Sequence, residues 1–182
     1  METVSNRELL VGDDGVVSTS KDGVAKGDRT PLVLVTGLDS TAVARVGEAL
    51  VGIDGSTGTV VVHHDLGRVA DGRVVRRTAW VDAGGRRHDR ETEVELAHGC
   101  VSCTLREDLL PLLRRLHQRS SVRRIVVVLD PIMEPERICW AVEHVVIAQM
   151  PGFVDGPAGR DVRVEATIAL CRRGHLARGG DR

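Results

Sequence analysis

The chain's 182 residues suffice for one domain with a real core and are too few for two of ordinary size. Its composition is globular, but Trp80, Trp140 and Phe153 are the only aromatic residues, which argues against recognition of nucleic acid through stacked bases. Twenty-five basic residues against 26 acidic ones give a formal net charge of −1, so no overall field draws in a polyanion or an anionic membrane.

Residues 1–30 are polar, rich in Gly, Asp and Ser, and without periodicity, and they read as a loose leader. The domain is expected over 31–170. It opens with Leu32-Val-Leu-Val-Thr36, a continuous apolar run that suits a strand buried on both faces. After Gly37, the apolar residues Ala42, Val46, Ala49 and Leu50 fall at helical spacing. Thr59 to His64 is a second buried strand. Arg73–Val81 and Arg87–Glu95 alternate in polarity and flank Ala83-Gly-Gly85, the pattern of a hairpin with one wet face.

Thr104-Leu-Arg-Glu107 has the form of a capping box, and Leu105, Leu109, Leu112, Leu113 and Leu116 then make one apolar stripe. Pro111 inside this helix predicts a bend. Ile125 to Leu129 is a third buried strand. Pro135 suits the first turn of a helix carrying Ile138, Val142 and Val145 on one side. A loop over 151–159 leads to a last strand, Val162 to Leu170, and a patternless tail over 171–182. Strands alternating with helices predict an α/β fold: a mostly parallel sheet flanked by helices, with an inserted β-hairpin.

No apolar run approaches the roughly 20 residues that span a bilayer, and Met1–Asn6 lacks the features of a signal peptide. The four cysteines, at 100, 103, 139 and 171, do not form a disulfide framework, so a reducing cytoplasm is the expected compartment. Cys100 and Cys103 stand just before the capped helix, whose positive end favours thiolates and hence metal or redox chemistry. Two thiolates do not complete a zinc site. His98 just before the pair, and His63 and His64 at the end of the second strand, are the candidate further ligands.

The stretch Glu95-Leu96, Gly99-Cys100, Cys103-Thr104 resembles the CobW-like family of metal-handling P-loop GTPases. In that family Glu-Leu-x-x-Gly-Cys-x-Cys-Cys-Thr leads into a long helix; here Ser102 replaces the middle cysteine. Pro31–Gly37, Val62–Gly67 and Arg124–Pro135 are similar to its three strand ends, so the resemblance covers roughly residues 31–170. A phosphate-gripping loop needs Gly-x-x-x-x-Gly-Lys-Ser/Thr. Here the stretch reads Gly37-Leu-Asp-Ser40-Thr-Ala-Val43-Ala44, with Val43 in place of Lys, Ala42 in place of the second Gly, and an added Asp39. The family's Glu-Thr-Ser-Gly turn reads Val128-Leu-Asp-Pro131, and its Asn-Lys-x-Asp does not occur. GTP is therefore not expected as a cofactor, and no catalytic residue is assigned.

A short actinobacterial branch of the family is more similar still, in His98–Thr104, in Ile138–Ala141 and in its degenerate P-loop. That resemblance implies zinc as the metal, a link to zinc starvation, and a ribosome-associated silencing factor as protein partner. Direct binding to nucleic acid is not expected, on the scarcity of aromatic residues and the net charge of −1. The alternatives are a GTP-dependent zinc metallochaperone, a truncated inactive copy of one, and a dithiol redox protein working through Cys100 and Cys103.

Overall fold

A computed structural model describes residues 29–52 and 57–170. The expectations for the tail over 171–182, and for all of the leader but Arg29 and Thr30, lie outside the described residues. The strands are β1 (Thr30–Gly37), β2 (Thr59–Asp65), β3 (Arg73–Val81), β4 (Arg87–Glu95), β5 (Arg124–Val128), the two-residue β6 (Val146–Ile147) and β7 (Gly156–Pro157), and β8 (Val162–Leu170). Six of them form one sheet in the order β4-β3-β2-β5-β1-β8, while β6 and β7 pair with each other. β1 lies parallel to β5 and β8, β2 lies parallel to β5, and β3 runs antiparallel to both β2 and β4. The mostly parallel sheet with its appended hairpin is the architecture expected from the sequence. Thr30, placed in the leader by its polarity, is already in β1, where it pairs with Val162.

The continuous apolar runs follow from burial on both faces. Leu32, Leu34, Val60, Val62, Ile125 and Val127 face one layer; Val33, Val35, Val61, Val126 and Val128 face the other. The second layer is closed by helix α1 (Ser40–Gly52) through Val43 and Val51. Gly47 lets α1 lie this close, since a Cβ there would stand 2.4 Å from Val128 Cγ2. The first layer is closed by helix α2 (101–118) and helix α3 (Pro135–His144), which contributes Ile138 and Val142. All five leucines of the predicted stripe are buried in this layer.

The start of α2 differs from the expected capping box. Cys100, in extended conformation, is the N-cap, and the helix already runs through Val101–Cys103. Thr104 is inside it, its hydroxyl donating to the Cys100 carbonyl at 3.5 Å, and the Glu107 carboxylate accepts from the Ala97 N–H at 2.8 Å. The helix begins a turn before Thr104, so the Cys100 sulfur, accepting the Cys103 N–H, stands at the cap in place of the threonine hydroxyl. Thr104–Leu109 is a π-helical turn, in which the Leu110 N–H bonds the Leu105 carbonyl. This widened turn comes directly before Pro111, whose ring clashes with the carbonyl four residues back in a regular α-helix.

Candidate functional site

β2 and β4 both run antiparallel to β3, so their carboxyl ends share one rim of the sheet, together with those of β1, β5 and β8. Open α/β sheets bind ligands at this rim. The chain leaving β4 is fastened there by two contacts. The Leu96 N–H donates to the Gly72 carbonyl at 2.8 Å, and Gly99 is pressed onto the turn at Val69–Asp71. A Cβ on Gly99 would meet the Ala70 carbonyl oxygen at 2.5 Å, so only glycine fits. The half-buried Cys100 follows, its Sγ accepting the Cys103 N–H at 3.1 Å. Cys103 is 9% exposed and Ser102 is exposed beside it. The two sulfurs are joined in a disulfide. Cys139 is free and half-buried, and Cys171 lies outside the described residues.

The histidines take three different places. His98 is exposed in the loop before the pair, its carbonyl accepting the Cys100 N–H at 2.9 Å. His63 and His64 are neighbours on a strand and therefore point to opposite faces. His63 looks toward α1, into a cavity of about 250 Å³ that it lines with Ala44, Gly47 and Arg77. Burial holds its pKa below the ordinary value; His64 and Arg77 push the same way, against Asp65 and Asp130.

His64 is 1% exposed on the other face, with Nε2 2.7 Å from Oδ2 of Asp108, itself 1% exposed. The Asp108 Oδ1 accepts Nη1 of Arg76, which is fully buried. His64 is thus engaged with the buried Asp108 rather than with the cysteines. Burial alone would raise the Asp108 pKa, but the hydrogen bond and charge of His64, with Arg76, bring it below the ordinary carboxyl value. Among the described residues, no three His, Cys, Asp or Glu side chains gather to hold a metal ion. Sequence reading missed Arg76 and Asp108. The parity of β2 held the clue, since His64 shares a face with Val60 and Val62 and a histidine there needs a buried partner.

The loop at the head of α1 is closed by a side chain of its own. Asp39 Oδ1 accepts the N–H groups of Thr41 and Ala42, each at 3.1 Å, and the Asp39 carbonyl accepts that of Val43. Val43, 1% exposed, points into the core and packs near Gly37. The side chain of Ser40 lies outside what the structure describes. After β5, Asp130 Oδ1 accepts the Ile132 N–H at 3.0 Å and forms the turn. No helix among the described residues is long and apolar enough to cross a membrane.

Residues 53–155 match the family described as CobW/HypB/UreG, nucleotide-binding domain. Among curated proteins, the chain is 49% identical over 140 residues to one from Mycobacterium tuberculosis named "Zinc chaperone Rv0106", with 77% of this chain covered. It matches an uncharacterized protein, Mb0109, of Mycobacterium bovis to the same extent. The chain spans about a third (33%) of the length of each. No solved structure matches it.

Proposed function

The chain belongs to the CobW/HypB/UreG family, and from that premise we propose that it is a zinc-linked binding protein that does without nucleotide, taking the metal ion as cargo on Cys100 and Cys103. The observation that carries this reading is Asp39. In the family's fold the first helix offers open backbone N–H groups to phosphate. Here the Asp39 carboxylate accepts two of them. A triphosphate would have to displace that carboxylate and bear its repulsion, with the buried Val43 in place of a lysine.

Zinc comes from the relative named a zinc chaperone and from donor chemistry, since thiolates select zinc and copper(I) over hard cations. The disulfide leaves no thiolate to donate, so metal binding requires the reduced pair. Reduction delivers two thiolates at a helix start, one half-buried and one nearly covered, with exposed His98 next in sequence. Two protein thiolates leave open positions on a four-coordinate ion, which suits an ion that is passed on. A protein partner, for which the resemblance suggests a ribosome-associated factor, would meet the pair from the adjoining groove. That groove, of about 680 Å³, is lined by Ser102, Leu105, Arg106 and Trp140, and Trp140 is 60% exposed.

Two measurements test the reading. Calorimetry with Mg·GTP should give no saturable heat at millimolar nucleotide; a low-micromolar Kd would overturn the nucleotide-free reading. Metal analysis should find one zinc per chain in the reduced protein and none after oxidation. Cys100→Ser or Cys103→Ser should abolish that zinc, and Cys139→Ser should leave it. Full occupancy in the Cys100→Ser/Cys103→Ser double variant would put the metal elsewhere.

A further inference from the structure

A second concentration of charge lies away from the cysteines, in the seam where α2 crosses the hairpin. Asp108, Arg115 and Arg119 fall along one face of α2, and Arg76, Thr78 and Trp80 fall on the facing side of β3. Arg90, Arg115 and Arg119, with Thr78 and Trp80 and over the apolar Leu112 and Leu116, line a small cavity of about 40 Å³. The carboxylate deepest in this seam is fully engaged: Asp108 gives Oδ1 to Arg76 and Oδ2 to His64. Arg115 is left with Nη2 buried and without a hydrogen-bond partner, and Arg76 with Nε and Nη2 in the same condition. Burial lowers the Arg115 pKa, with Asp108 opposing and Arg76 adding to the shift; Arg119 is lowered by burial and then by Arg90.

Buried guanidinium N–H groups without acceptors are costly, and folded proteins rarely keep them. The unpartnered Nη2 of Arg115, whose side chain lines the cavity, therefore calls for an acceptor. Guanidinium forks match oxyanions with several oxygens. Thr78 and Trp80, residue types that carry a hydroxyl and an indole N–H donor, line the cavity from the sheet side. The cavity is a few times what one water needs, which admits one small ion and no nucleoside.

We propose that the seam between α2 and the β3–β4 hairpin binds a tetrahedral oxyanion, either inorganic phosphate or the phosphate group of a monoester, with Arg115 as its principal partner. This site is independent of the metal and nucleotide readings. Trp80, whose ring stacks on His88 at 5.1 Å, reports on it directly. In a Trp140→Phe protein Trp80 is the sole tryptophan, and its emission is followed during titration at constant ionic strength with chloride as counter-ion.

Inorganic phosphate should give a saturable change with a millimolar midpoint, and chloride alone should give none. The same midpoint with O-phosphoserine identifies an ester phosphate as an acceptable ligand; saturation by inorganic phosphate alone identifies the free ion. Arg115→Gln should weaken binding about tenfold or more, and Arg115→Lys, which keeps the charge but not the fork, by less. Arg90→Gln, on the strand side, provides a second variant should Arg115→Gln melt early by circular dichroism. No saturation with either phosphate, or an unchanged midpoint in both glutamine variants, overturns the proposal.

Discussion

Replacing Asp108 with alanine should remove a large share of this protein's stability. The carboxylate is 1% exposed and accepts from a fully buried arginine while lying 2.7 Å from the buried His64. Each hydrogen bond to a charged group contributes about 1.5–3 kcal/mol. Its removal also strands the Arg76 guanidinium, two of whose nitrogens already lack partners. Breaking one side of a buried pair costs about 3–5 kcal/mol, against a total stability of about 5–15 kcal/mol for a domain. Urea unfolding followed by circular dichroism measures the loss.

Asp108→Ala lies close to the limit of folding, so a second variant carries the argument. Arg76→Met/His64→Leu/Asp108→Leu replaces the whole cluster with apolar side chains and should recover most of the loss, because the cost lies in uncompensated charge and not in shape. A loss below about 1 kcal/mol in Asp108→Ala, or a triple variant no more stable than the single one, would refute this reasoning. The same carboxylate sets an acid limit. Its folded pKa is depressed, so its stabilisation is present above the ordinary carboxyl value and fades as pH falls through the folded one.

Three further outcomes follow. His63 resists protonation when folded, so below its ordinary value of 6.5 the unfolded chain takes up a proton that the folded one refuses, and stability falls. His63→Gln should flatten the urea midpoint between pH 7 and pH 5. Gly99→Ala forces a Cβ against a backbone carbonyl that cannot step aside; it should cost about 1–3 kcal/mol in the same unfolding assay and reduce zinc retention by the reduced protein. Asp39→Ala removes the α1 cap and should cost about 0.5–2 kcal/mol, with a lowered thermal midpoint as the readout.

The strands were legible where burial is two-sided, because Leu32–Thr36, Thr59–His64 and Ile125–Leu129 need no partner to explain their apolarity. The hairpin was legible from alternation. The start of α2 was not: Thr104 and Glu107 satisfy a local pattern, but the chain before them is fixed by the 69–72 turn, and that contact put Cys100 at the cap. Of the candidate site, the cysteine pair stood out through its spacing. The fate of the histidines did not, because it depends on pairing across the fold. His64 meets a carboxylate 44 residues away, and no local period encodes that distance.

Val43 bears on how readily the loop at the head of α1 could take on other chemistry. Asp39 sits on the surface, and a single substitution would clear its carboxylate from the head of α1. Val43 is a different matter, since its methyl groups fill space between α1 and β1 and one of them lies where a side chain at Gly37 would be. An ammonium introduced at position 43 would have to leave the apolar layer to find an anion, vacating a volume that neighbouring valines now rely on. The loop is thus tied to the packing beneath it, and placing a lysine at position 43 would mean rebuilding part of the interior as well as the loop.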